Sequence, residues 1–117
     1  MTGWKTRVTI ETLSGRAELL KAIRAYFNHH KVLEVTTPTL GTRGVTDSQI
    51  QNIELVQQGR SYYLQTSPEY AMKRLLASTG TPIYQICPAY RGSELGANHN
   101  MEFTMLEWYR PGFTLRD

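Results

Sequence analysis

Residues 91–110 read RGSELGANHNMEFTMLEWYR. An arginine opens the stretch, a polar loop follows, and from Phe103 onward the residues alternate. In a strand, side chains two apart point the same way, so Phe103, Met105, Glu107 and Tyr109 share one face. Thr104, Leu106, Trp108 and Arg110 share the other, where Leu and Trp suit packing under a sheet. The pattern predicts a hairpin whose first face is a binding surface, with an anionic ligand at the arginine end and a cationic ligand at the carboxylate end.

Working back along the chain, Ile83 to Tyr90 reads as another strand, with Pro88 implying an edge or a bulge because proline cannot donate to a ladder. Gly80 stops a helix that begins at Thr66-Ser67-Pro68-Glu69: Ser67 as cap, Pro68 at the first helical position, Glu69 in the positive first turn. Ile50 to Val56 and Ser61 to Gln65 predict two strands joined at Gln57 to Arg60. Gly41 to Ser48 has the composition of a loop, and the strand pattern of KVLEVTTPTL (31–40) must end or turn at Pro38. Ser14 caps a predicted helix from Gly15 to His30 whose apolar stripe is Leu20, Ile23 and Phe27. His29 and His30 close it as neighbouring cations pointing apart, which argues against a shared metal. Met1 to Leu13 reads as an extended arm with Trp4 as a possible anchor. This order of elements predicts an α+β domain, an antiparallel sheet backed by helices.

Composition sets bounds on the function. The chain has 117 residues, enough for one domain, and thirteen Lys and Arg stand against ten Asp and Glu for a formal charge of +3. No basic run marks a nucleic-acid footprint. The single cysteine, Cys87, excludes an intrachain disulfide, gives no zinc spacing with three histidines, and suits a small buried residue in a strand. No apolar run approaches a membrane span and Met1 to Glu11 lacks the apolar core of a signal peptide, so a cytoplasmic setting is the expectation.

Taken singly, the polar residues have ordinary explanations. Arg91 beside a glycine loop offers a planar fork to a phosphate or carboxylate, or else a surface ion pair. His99 is a second anion contact or a solvated loop residue; Phe103 stacks on a base or fills the core. Glu69 is explained by the helix dipole. Glu107 is harder to explain away, because a carboxylate among Met105, Leu106, Trp108 and Tyr109 is costly to bury without a cation.

Together they form a pattern. Arg91, His99-Asn100, then Glu102 to Tyr109, preceded by SPEY with Lys73, Arg74 and Leu75, resembles the class II lysyl-tRNA synthetase catalytic core from about Ser14 to Pro111. TSPEYAMKRLL and HNMEFTMLEWYRP resemble more closely the elongation factor P lysine ligases, a paralogous group lacking the anticodon-binding domain. The short arm before Ser14 leaves no room for an OB-fold and agrees with this. The resemblance implies a partial catalytic domain over 14–117, holding the first and second motif regions without the third, after an arm over 1–13. It implies Arg91 on the α-phosphate of ATP and the substrate carboxylate, His99 near the β- and γ-phosphates with Asn100 beside it, and Phe103 on adenine. Glu69 would take the α- or β-amino group of lysine or β-lysine, with Glu107 and Tyr109 on the side-chain ammonium. The activity implied is ATP-dependent formation of an aminoacyl-adenylate and transfer to a lysine of elongation factor P, or to tRNA in a lysyl-tRNA synthetase. Magnesium would accompany ATP through ligands outside these residues, and a homodimer would form through the first-motif region.

Departures cluster at the nucleotide end. Ser93 stands where the family has the glutamate that contacts adenine, although Glu94 is adjacent; Met101 replaces a usual proline and Pro88 a polar or basic residue. With no third motif in these 117 residues, the chain alone is expected to be inactive. A non-catalytic binding or dimerisation module is then the alternative from another class.

Overall fold

Thr9 is where regular structure begins. Its hydroxyl accepts from the Thr12 N–H at 3.2 Å, Glu11 sits in the first turn, and the helix α1 runs over Ile10–His29. The computed structural model describes residues 7–43, 52–92 and 100–112, and the chain divides into two compact units, Met1–Lys31 and Val32–Asp117. The helix therefore starts five residues before the expected Gly15, and residues 10–13 of the supposed arm are helical. The cap geometry at Thr9 leaves Ser14 inside the helix, and Gly15 is carried through at the modest cost of an interior glycine. The stripe is as expected: Phe27 is buried and Leu20 and Ile23 are half-buried, with Arg16, Lys21 and Arg24 exposed. Trp4 lies outside the described residues.

The second unit holds two three-stranded sheets. In one, β1 (Leu33–Glu34), β5 (Ile83–Tyr90) and β6 (Glu102–Tyr109) lie in the order β1-β5-β6; in the other, β2 (Leu40–Gly41), β3 (Ile53–Gln57) and β4 (Arg60–Leu64) lie in the order β2-β4-β3. Both hairpin pairings are antiparallel: β5 with β6 over its full length, from Ile83 opposite Tyr109 to Tyr90 opposite Glu102, and β3 with β4. The two-residue β1 is parallel to β5. The β3–β4 turn falls at Gln58 and Gly59, both at positive φ (52° and 76°), as a tight hairpin with right-handed strand twist requires. KVLEVTTPTL thus contributes two short strands around Pro38.

β5 is the most buried strand, with Ile83, Tyr84, Gln85, Cys87 and Ala89 in the core. The polar member, Gln85, is satisfied by Thr37: its Oε1 accepts from the Thr37 N–H at 3.0 Å and its Nε2 donates to Thr37 Oγ1 at 2.9 Å. An unpaired amide at that depth would be destabilising. Pro88 sits in this central strand without disrupting it, because β1 reaches only Ile83 and Tyr84, so the side of β5 away from β6 is a local edge at Pro88.

Helix α2 spans Glu69–Thr79 and lies against β6. Pro68 is the cap residue, one position after the expected Ser67: its carbonyl accepts the first intrahelical bond, from the Met72 N–H at 2.9 Å. Ser67 still serves the helix start, its hydroxyl accepting from the Glu69 N–H at 3.3 Å. Gly80 ends α2 in the left-handed conformation (φ 64°), its N–H donating to the Leu76 carbonyl. The reading of Trp108 as packed under the sheet does not hold: it is 51% exposed, whereas Leu106 on the same face is half-buried.

Candidate functional site

An open cleft of about 1000 Å³ lies in the second unit, between the Pro38–Arg43 segment, the chain from Tyr63 to the first turn of α2, and the β5–β6 hairpin. Glu69, Arg91, Met105 and Glu107 line it, together with Arg43, Arg74 and Gln65. Topology accounts for the convergence. α2 presents Glu69 from its first turn, β6 presents Glu107 from a face set by period-two alternation, and Arg91 follows the last residue of β5.

One end of the cleft is acidic. The Tyr109 hydroxyl donates to Glu107 Oε2 at 2.9 Å, a bond between i and i+2 on one strand face. Burial pushes the Tyr109 phenol well above its ordinary range, and the hydrogen bond to Glu107, the charge of Glu107 and that of Glu69 push it further. The phenol therefore stays a proton donor at any physiological pH. Glu69 pairs with Lys73 one turn along α2, Nζ to Oε1 at 2.7 Å. Lys73 is raised by its hydrogen bond to Glu69, then by the charge of Glu69 and more weakly by that of Glu107. Glu69, Glu107, Lys73 and Tyr109 thus form one electrostatic cluster. Among the described residues no cation lies within ion-pair distance of the half-buried Glu107.

At Arg91 the lining is backed by a ring, Phe103, which does not itself line the cleft, just as Tyr109 stands behind Glu107 without lining it. The Arg91 guanidinium carbon lies 5.2 Å from the centroid of Phe103, within cation–π range, and the Arg91 N–H donates to the Met101 carbonyl at 2.9 Å, closing the base of the loop. Arg91 is exposed and Phe103 half-buried. Asn100 is exposed just before β6 and does not line the cleft. His99, Ser93 and Glu94 lie outside the described residues.

A sequence profile of class II tRNA synthetases (D, K and N) matches residues 2–115. The chain belongs to this family. Among its relatives, a protein of Pseudoalteromonas translucida named elongation factor P–(R)-β-lysine ligase is 50% identical over 116 residues, covering 94% of the chain and 36% of the relative. Proteins of the same name from Edwardsiella ictaluri and Pasteurella multocida are 45% and 43% identical, covering 98% and 96% of the chain and 37% and 36% of those proteins. The chain therefore spans about a third of the length of these curated relatives. The expected resemblance to class II synthetases, and within them to the elongation factor P lysine ligases, is borne out.

Two residues had no site role assigned from sequence: Lys73, the partner of Glu69, and Gln65, which lines the cleft. Lys73 was legible as the i+4 partner of Glu69, a spacing that places the two on one helix face. Gln65 carried no signal, since its importance depends on which strands lie beside it.

Proposed function

We propose that this chain forms the first part of the catalytic domain, over residues 14–117, of a cytoplasmic ligase that activates lysine or β-lysine with ATP and passes the acyl group to a lysine of elongation factor P. The carboxylate of the amino acid attacks the α-phosphorus of ATP and pyrophosphate leaves. The acceptor amine then attacks the acyl carbonyl, AMP leaves, and the amine loses its proton. The observation that carries this reading is the Glu107–Tyr109 pair: a half-buried carboxylate, oriented by a phenol that stays protonated, in a cleft with Glu69. Such a group needs a cation, and a lysine side chain supplies one.

In this reading the side-chain ammonium binds Glu107. The Tyr109 hydroxyl, committed to Oε2, leaves Oε1 to accept from it. Glu69 takes the other amino group, exchanging part of its contact with Lys73. Arg91 holds the α-phosphate and substrate carboxylate while charge shifts toward the leaving pyrophosphate, and its position over Phe103 keeps the guanidinium beside the ring assigned to adenine. Asn100 and His99 belong to the phosphate side of the same assignment. Among the described residues no group of three or more His, Cys, Asp or Glu could hold a metal, so the magnesium expected with ATP is assigned no ligand and no step passes through it. A homodimer through the first-motif region, helix α1 and the segment after it, completes the proposal.

Calorimetric titration with lysine, (R)-β-lysine and norleucine tests it. Lysine or β-lysine should bind and norleucine, which lacks the side-chain ammonium, should not; equal binding of all three overturns the reading. The 117 residues alone are expected to give no lysine-dependent ATP–pyrophosphate exchange, and exchange above a no-enzyme control overturns that expectation. Labelling of elongation factor P over tRNA in the presence of the full ligase distinguishes the two acceptors.

A further inference from the structure

Gln65 sits directly after β4 and four residues before Glu69, between the two sheets. Its N–H donates to the Thr39 carbonyl at 2.8 Å, and its carbonyl accepts from the Tyr90 N–H at 2.8 Å. Its side-chain Nε2 donates to the Pro88 carbonyl at 2.7 Å and lies 3.5 Å from Cys87 Sγ. One residue thus joins the segment entering β2 to the second half of β5.

The chemistry of Pro88 explains why a glutamine fits there. On the side of β5 facing away from β6, β1 takes the Pro82 and Tyr84 carbonyls, through the N–H groups of Leu33 and Val35, and then stops. Two pairs further along, Pro88 offers a carbonyl on that side but no N–H. A continuing strand would set a carbonyl against the proline ring, whereas the NH2 end of a primary amide brings a donor to the place where only an acceptor waits. The same amide lies over the Cys87 thiol, which is 5% exposed, and Gln65 itself lines the cleft with Glu69 and Glu107.

We propose that Gln65 is a positioning residue for the cation-binding end of the cleft. Its amide, locked to the Pro88 carbonyl, fixes the start of α2 relative to the β5–β6 hairpin, and so fixes Glu69 relative to Glu107 for simultaneous contact with the two amino groups of one substrate. The Arg91 and Phe103 end has a tie of its own to the same residue, the Tyr90 N–H to the Gln65 carbonyl, which belongs to the backbone and is kept whatever side chain stands at 65. The assignment rests on the reading of the cleft as a lysine site.

The test compares the 117-residue chain with Gln65→Met, which keeps length without the amide, and Gln65→Glu, which sets an acceptor against the Pro88 carbonyl. Lysine is titrated by calorimetry, ATP through a fluorescent analogue, Cys87 is timed with a thiol reagent, and circular dichroism follows the fold. Gln65→Met should weaken lysine about tenfold, as expected for lost positioning by a single hydrogen bond, and Gln65→Glu should weaken it more. ATP affinity should change by less than about twofold in both, since neither variant touches the Tyr90–Gln65 backbone bond beside Arg91 or the Arg91–Phe103 contact. Cys87 should react about tenfold faster in Gln65→Met through local opening. Lysine binding unchanged in both variants overturns the proposal, as does parallel weakening of lysine and ATP. Loss of the fold in both also overturns it, since Gln65 would then serve the fold and not the site. A wild-type chain that binds ATP but neither lysine nor β-lysine overturns the functional reading itself, before any variant is compared.

Discussion

The two ends of the cleft are held in different ways. At the acidic end each carboxylate already has a side-chain partner at hydrogen-bond distance, Tyr109 for Glu107 and Lys73 for Glu69. At the arginine end the only described side-chain partner is a ring face, Phe103 below Arg91. A hydrogen-bonded carboxylate loses little freedom when a cation arrives, so less of the binding energy is spent on ordering it. An exposed guanidinium on a ring keeps several rotamers and must be ordered by its ligand. Under the proposed function, the contrast implies that the amino-acid end is ordered in the folded chain before the ligand arrives, while the nucleotide end is ordered further by its ligand.

The most severe way to break this contrast is Glu107→Gln, which keeps the shape and removes the charge. Lysine affinity should fall by about 1.5–3 kcal/mol, the range for a hydrogen bond to a charged group, with ATP affinity unmoved; calorimetry that finds no loss removes Glu107 from the site. Phe103→Ala should do the reverse. Loss of a stacking platform should weaken ATP by about 1–2 kcal/mol and leave lysine binding intact, and titration of a fluorescent ATP analogue checks it. Tyr109→Phe should cost lysine about 0.5–1.5 kcal/mol, because it frees the Glu107 carboxylate without removing it; an effect as large as that of Glu107→Gln would mean that the phenol itself contacts the ligand.

The smallest effect is in pH. Because the folded-state pKa of Tyr109 is raised above that of an exposed tyrosine, the folded chain holds this proton more tightly than the unfolded one. The associated stability is complete below about pH 10 and is lost as pH rises through the folded value. Alkaline absorbance titration should show a late-ionising phenol that Tyr109→Phe removes. If the variant and the wild type titrate alike, Tyr109 is not shielded and the acidic end is less ordered than described.

How legible these features were in the sequence depended on whether their cause was local. The β3–β4 hairpin, the Gly80 stop and the shared face of Phe103, Met105, Glu107 and Tyr109 follow from turn chemistry and a period of two, both written in neighbouring residues. The start of α1 was misplaced because Thr9 and Ser14 are equally good caps in isolation, and only the helix itself chooses between them. The expected start of α2 at Pro68 is one position early for a related reason, since the Pro68 carbonyl makes the first helical bond although its own residue is not yet helical. Trp108 was read as packed because large apolar residues on a strand usually are; whether a given sheet face is covered is decided by elements far away in sequence. The Gln65–Pro88 contact spans 23 positions and joins two sheets, so no local pattern could announce it.

The break that Pro88 makes in β5 has one more consequence. A strand whose outer side is left uncovered offers a row of donors and acceptors on which another chain can zip, the usual route to edge-to-edge aggregation. Here β1 uses that row at Pro82 and Tyr84, Gln65 takes the Tyr90 amide, and Pro88 has no amide to offer. The row on this side of β5 is thereby interrupted beyond the reach of β1. The residue that opens this stretch of β5 to a single side chain also makes it a poorer template for a second strand.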